Sequence, residues 1–132
     1  MRKIQTCLLL IFVGCVSIWG GKIIAQPQAI NYQAVARDGA GEPVANKQLG
    51  LKFTIRSGGS SGLIQYSETN TTTTNQFGLY TIQIGKGTPV SGVFSSIPWS
   101  SGNQWLQVDI DISGGINYQA AGASELLSVP YA

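Results

Sequence analysis

The sequence predicts an all-β fold: a single antiparallel Greek-key sandwich of six to eight short strands over residues 26–132, behind a removable export signal at residues 1–25. Three observations predict it. From Gln26 onward apolar residues recur with a period of two, and no ten-residue window carries a helical stripe. Clusters of Gly, Ser, Asn and Asp separate the alternating runs at the spacing of a two-sheet sandwich. Charged residues make up only 11% of the chain, against roughly 25% in ordinary soluble proteins. Gly, Ser, Thr, Asn and Gln supply the polarity instead, as they often do in extracellular β-proteins.

Residues 1–25 divide into three parts. Arg2 and Lys3 form a positive start, Cys7 to Trp19 is an almost unbroken apolar run, and Ile23-Ile24-Ala25 places a small residue before Gln26. That order is the pattern of a secretory signal peptide, removed near Ala25. It directs the product to the cell surface or out of the cell. Two alternatives stand beside it. A membrane-spanning anchor needs roughly 18–20 apolar residues, more than this run provides. A lipid anchor at Cys15 is possible because Phe12-Val13-Gly14-Cys15 loosely matches a lipoprotein box. Both cysteines, Cys7 and Cys15, lie in this segment, so the remaining 107 residues hold together by burial without a disulfide. A domain of that size hides roughly two-thirds of its surface.

The clearest strands are Leu49–Arg56, Tyr80–Ile84 and Leu106–Ile112, where apolar and polar residues alternate strictly. Such alternation sets one face on a core and the other in water. Weaker candidates are Ala29–Ala36, Leu63–Thr71, Gly92–Ile97 and Glu125–Val129. Turn chemistry stands between them at Asp38–Pro43, Ser57–Gly62, Asn75–Gly78 and Ser113–Gly115, and Gly85-Lys86-Gly87 reads as a hairpin turn. Pro98 disfavours a central strand, so Trp99 opens a loop or an edge. The Thr71–Thr74 run fits a strand end.

Charge argues against several functions. Once the first 25 residues are removed, five bases face six acids, a net charge of −1. A near-neutral domain has no electrostatic reason to seek nucleic acid or an anionic membrane. The chain has no His, and residues 26–132 have no Cys. Ser-His-Asp and Cys-His catalysis and the usual zinc sites are thereby removed. No phosphate loop or dinucleotide fingerprint is present. A non-catalytic role is expected, with no cofactor beyond a possible calcium ion.

The remaining candidates lie on and after the strand at 106–112. Trp105, Gln107, Asp109 and Asp111 alternate onto one face, where an indole can stack a sugar ring while polar groups hold its hydroxyls. Trp99, Tyr32, Tyr66, Tyr80 and Tyr118 could extend that platform. Asp109 and Asp111 would stand about 6–7 Å apart on a solvated face, which argues against a paired acid and base of the glycosidase kind. Asp109, Asp111 and Ser113 also resemble the opening of a calcium loop, with Asn117 as a further oxygen. Ala120 stands where the bidentate Glu of such a loop would be. The tail Leu126–Tyr131 would expose Leu127, Val129 and Tyr131 unless the rest of a longer chain or a second copy covered them. Open strand edges at 71–74 and 126–129 offer the same kind of contact. Asn70-Thr71-Thr72 spells a glycosylation sequon.

Three stretches carry a resemblance. They are Gln28–Asp38 (QAINYQAVARD), then Tyr66–Thr69 with Thr74–Tyr80 and Ile84–Gly87, and finally Leu126–Ala132 (LLSVPYA). Together they resemble the N-terminal module of secreted bacterial tail-fibre-like or collagen-like surface proteins. The resemblance implies a signal peptide before the module, a long fibrous region after it, and no catalytic residues. A wider likeness links Asp38, Gly41–Val44, Thr74-Asn75 and Gly78–Tyr80 to transthyretin-like sandwich modules, such as carboxypeptidase regulatory domains. It implies a fold and not an activity.

Overall fold

The computed structural model describes residues 28–127. The export signal, Cys15, Val129 and Tyr131 lie outside the described residues. Within them are seven strands: β1 (Ile30–Val35), β2 (Gln48–Ser57), β3 (Leu63–Thr73), β4 (Leu79–Ile84), β5 (Thr88–Ser91), β6 (Gln104–Asp111) and β7 (Gln119–Leu126). All pairings are antiparallel. The larger sheet runs β5-β3-β2-β6-β7, and β1 and β4 pair as a second, two-stranded sheet. The result is all-β and sandwich-like. No helix among the described residues is long and apolar enough to cross a membrane.

β2 is the centre of the larger sheet because its alternation is the strongest. Leu49, Leu51, Phe53 and Ile55 are fully buried. Cross-strand register sets Leu51 beside Ile110, Phe53 beside Val108 and Ile55 beside Leu106, so one face of β2 and β6 is continuously apolar. The smaller sheet lays Tyr32, Tyr80 and Ile84 over that face. Tyr32 meets Phe53 edge-on, with ring centroids 5.4 Å apart and planes at 70°.

Two side-chain-capped turns stack at one end. Asp38 Oδ1 accepts the Ala40 and Glu42 N–H groups, while Asn75 Oδ1 accepts those of Phe77 and Leu79. The Ala36 N–H donates to the Gly78 carbonyl and the Val44 N–H to that of Ala36, tying the two turns together. Short polar side chains that bond their own backbone are what favour Asp and Asn there.

Three expectations need correction. Gly85-Lys86-Gly87 is not a hairpin turn, because β4 pairs with β1 whereas β5 pairs with β3, so this loop crosses between sheets. Gly92–Ile97 is not a strand. Phe94–Ser96 forms a 3-10 turn that buries Phe94 against Tyr66 and Trp99, and the strand of this region is the preceding β5. The last strand begins at Gln119, well before Glu125, and pairs along β6.

Candidate functional site

The outer face of β6 carries three of the four residues expected to face a ligand. Register sets Arg56 opposite Trp105, Thr54 opposite Gln107 and Lys52 opposite Asp109. Arg56 Nε donates to Gln107 Oε1 at 2.9 Å, and Gln107 Nε2 donates to Asp109 Oδ2 at 2.9 Å. Arg56 Nη1 also donates to the Gly62 carbonyl at 2.9 Å. Gln107 and Asp109 are therefore half-buried members of one polar ladder across β2 and β6, and Trp105 stands half-buried beside it opposite Arg56.

Asp111 departs from this. It shares the face by register, opposite Gly50, but it is only 7% exposed and not solvated. The loop after it folds back over Gly50, whose missing β-carbon leaves room for the Gly115 carbonyl. Asp111 Oδ1 accepts the Ser113 hydroxyl at 2.6 Å and the Ser113 N–H at 2.9 Å, and Oδ2 accepts the Asn117 N–H at 2.9 Å. These bonds, led by the Ser113 hydroxyl, hold the Asp111 carboxyl below its ordinary range. Both oxygens accept hydrogen bonds from the loop that follows. Asn117 turns its N–H, not an oxygen, toward the carboxylate. Of the four oxygen donors expected for calcium, the Asp111 carboxylate is thus engaged by Ser113 and the Asn117 backbone, and the Asp109 carboxylate by Gln107. Among the described residues no cluster of three or more His, Cys, Asp or Glu could hold a metal.

The expected aromatic platform is not assembled either. Tyr66 and Tyr80 are buried in the core, Tyr32 packs on Phe53 and Tyr80, and Trp99 packs on Phe94 with centroids 5.9 Å apart. Trp105 is left without these partners because alternation sends the tyrosines to the opposite face of their sheets.

Between the sheets lies a feature that sequence reasoning missed. Among the described residues five strands are covered by two, and the covering sheet stops short of β7. A cleft of about 860 Å³ opens there. Tyr32 and Ala34 of β1 form its wall, Leu106, Val108 and Ile110 of β6 its floor, and Gly122 and Ser124 of β7 its rim. Every residue of β7 from Gln119 to Glu125 is exposed. Among the described residues β1 and β7 each leave one edge unpaired.

A fully buried carboxylate closes the other side of the molecule. Glu68 is 0% exposed. Its Oε1 accepts the Tyr66 hydroxyl at 2.7 Å and the Gly85 N–H at 2.8 Å, and its Oε2 accepts Asn70 Nδ2 at 2.7 Å. Gly87 packs directly on Asn70, in a space that a β-carbon would fill. Glu68 therefore captures the loop that carries the chain from one sheet to the other. Burial, reinforced by the bond to Glu68 and by its charge, raises the Tyr66 phenol well above its ordinary pKa. Asn70 holds Glu68 with its side-chain amide, the group at which the sequon would be modified.

No curated protein and no solved structure matches the chain. A family model does: that of the domain of unknown function DUF8740 matches residues 31–126, most of the chain, and the protein belongs to that family.

Proposed function

We propose that this protein is a non-catalytic structural or adhesive module, exported to the cell surface or released, and the N-terminal part of a longer fibrous protein. Its chemistry is the pairing of strand edges and apolar faces. In the same reading the topology is a Greek key of the immunoglobulin-like or transthyretin-like kind, supported by the non-consecutive order β5-β3-β2-β6.

One observation carries the proposal. The two outer edges of the larger sheet are built differently. β5 is blunted by its four residues and by Pro89; a register slip is common to both edges, β5 against β3 and β7 against β6. β7 has eight residues, no Pro and a single charge, Glu125, near one end. Natural sheets usually protect such an edge with charge, Pro or shortness. An edge left long and nearly neutral, beside an open apolar cleft, is suited to a partner. Immunogold labelling of intact cells that make the protein tests this reading. Label in ordered surface arrays is expected, and label confined to the cell interior would refute it.

A carbohydrate-binding reading is favoured by one specific feature, the Arg56–Gln107–Asp109 ladder beside Trp105. Glycan-array binding that disappears in Trp105→Ala would support it. Absence of binding removes it.

A further inference from the structure

The cleft has the form of a sandwich that lacks a strand. Among the described residues β1 has a free edge on its cleft side, and the floor below, Leu106, Val108 and Ile110, faces no covering strand. A third strand added to β1 would complete the smaller sheet and cover that floor. The occupant must be extended and apolar on one face.

Residues 127–131 of this chain have that pattern. Leu127, Val129 and Tyr131 fall on one face of a strand, Ser128 and Pro130 on the other. Backbone amides alternate edges with the same period. If the amides of Leu127, Val129 and Tyr131 bond β1, the nitrogen of Pro130 faces the outer edge, the one place in a strand where its missing N–H costs little. Leu127, the first of the three, is 75% exposed.

The geometry favours a second copy over the same molecule. Gly85 sits against Gln28 and Ala29 and beside Phe94. Phe94 packs on Tyr66, which lies in the same cross-strand row as Ile55, Leu106 and Ser124. The start of β1 is therefore at the Leu126 end of β7. A tail leaving Leu126 must first cross between sheets about 10 Å apart, which takes roughly three residues at ~3.4 Å each. That leaves Tyr131 only at the start of β1, short of Val108 and Ile110.

We propose that the cleft takes the Leu127–Tyr131 segment of a second copy as an added strand of the β1–β4 sheet. This rests on the assembly reading above and places its contact in the cleft, at the β1 edge rather than at the outer edge of β7. Each copy then offers one donor segment and one acceptor cleft. Such a heterologous contact need not close on itself, and its repetition makes a filament.

Sedimentation of protein purified after expression of the full chain tests it, with three variants. Val129→Asp spoils the donor. Ser124→Arg spoils the acceptor, since Ser124 pairs with Leu106 on the inner face. Ala121→Lys charges the free edge of β7. The expected result is concentration-dependent growth beyond a dimer for the wild type and its loss in Val129→Asp and in Ser124→Arg. A mixture of those two should give a dimer that grows no further, because one intact donor meets one intact acceptor. Circular dichroism checks that each variant keeps its strands. A synthetic Leu126–Ala132 peptide, which needs no variant, should shorten wild-type assemblies where a scrambled peptide does not. Monomeric single variants whose mixture stays monomeric would overturn the second copy as occupant. Undiminished growth in Val129→Asp with loss in Ala121→Lys would overturn strand donation and leave assembly standing. A wild type that stays monomeric at every concentration would overturn both.

Discussion

Gly50 and Asp111 face each other across β2 and β6, and each makes the other's setting possible. The Gly115 carbonyl oxygen occupies the place a β-carbon on residue 50 would take. That backbone is held there by the turn that Asp111 caps. Gly50 is needed for the close approach rather than for an unusual φ. Gly50→Ala should displace residues 113–117 and destabilise the domain by about 1–3 kcal/mol, the usual cost of overpacking. Gly39→Ala is the control, because open space surrounds Gly39. Denaturant unfolding measures both, and equal stability of the two variants would contradict this account.

Asp111 also gives the fold an acid-sensitive element. Its folded pKa lies below the ordinary value of 3.8 because the charged form accepts the Ser113 and Asn117 donors. A depressed carboxylate contributes stability that is fully present above the unfolded pKa and is lost as pH falls through the folded one. Wild-type stability should therefore decline from just below pH 4 downward. In Asp111→Asn the domain should be less stable at neutral pH and should lose less on acidification. Thermal melts across that range supply the comparison.

The Glu68 knot gives a graded series. Tyr66→Phe removes one donor from a buried carboxylate and should cost about 1–3 kcal/mol. Glu68→Leu strands three donors at once, the Tyr66 hydroxyl, the Asn70 amide and the Gly85 N–H. Its cost should be the larger of the two, though less than a simple sum, since the three share one acceptor. It should also free the inter-sheet loop, read as faster amide exchange at Gly85. Unchanged exchange there would mean that the loop is held by other groups.

How far the sequence speaks depends on whether a strand's identity is local. β2, β4 and β6 were legible because large apolar residues alternate with polar or small ones within them. β7 was not: Gln119–Ser124 is Gln-Ala-Ala-Gly-Ala-Ser, with no large residue and no alternation, and it is a strand only because β6 offers it an edge. β5 hid behind Pro89 for the same reason. The outward placing of Trp105, Gln107 and Asp109 was legible from period two alone. The burial of Asp111 was not, since it arises from a loop folding over a glycine on a strand 61 positions away. The Glu68 knot did leave a signal. Tyr66, Glu68 and Asn70 alternate onto the face that register shares with Ile55 and Phe53, so a carboxylate at an inward position was readable in advance. The cleft had none, because an uncovered floor is a property of how many strands each sheet receives.

Two tyrosines should resist alkali. Burial raises the phenols of Tyr66 and Tyr80 well above the ordinary 10.0; Glu68 adds to it for Tyr66, and Tyr32 for Tyr80. A raised phenol favours the protonated form in the folded state, so the stability it contributes is present below the unfolded value and is lost as pH rises through the folded one. Ultraviolet titration of phenolate should show these two still unionised above the ordinary phenol value, with their absorbance appearing only as the strands melt. Tyr66→Phe should remove one of the two late-titrating groups and leave the other. Smooth ionisation of every tyrosine near pH 10, with circular dichroism unchanged, would mean that neither phenol is packed against the interior in this way.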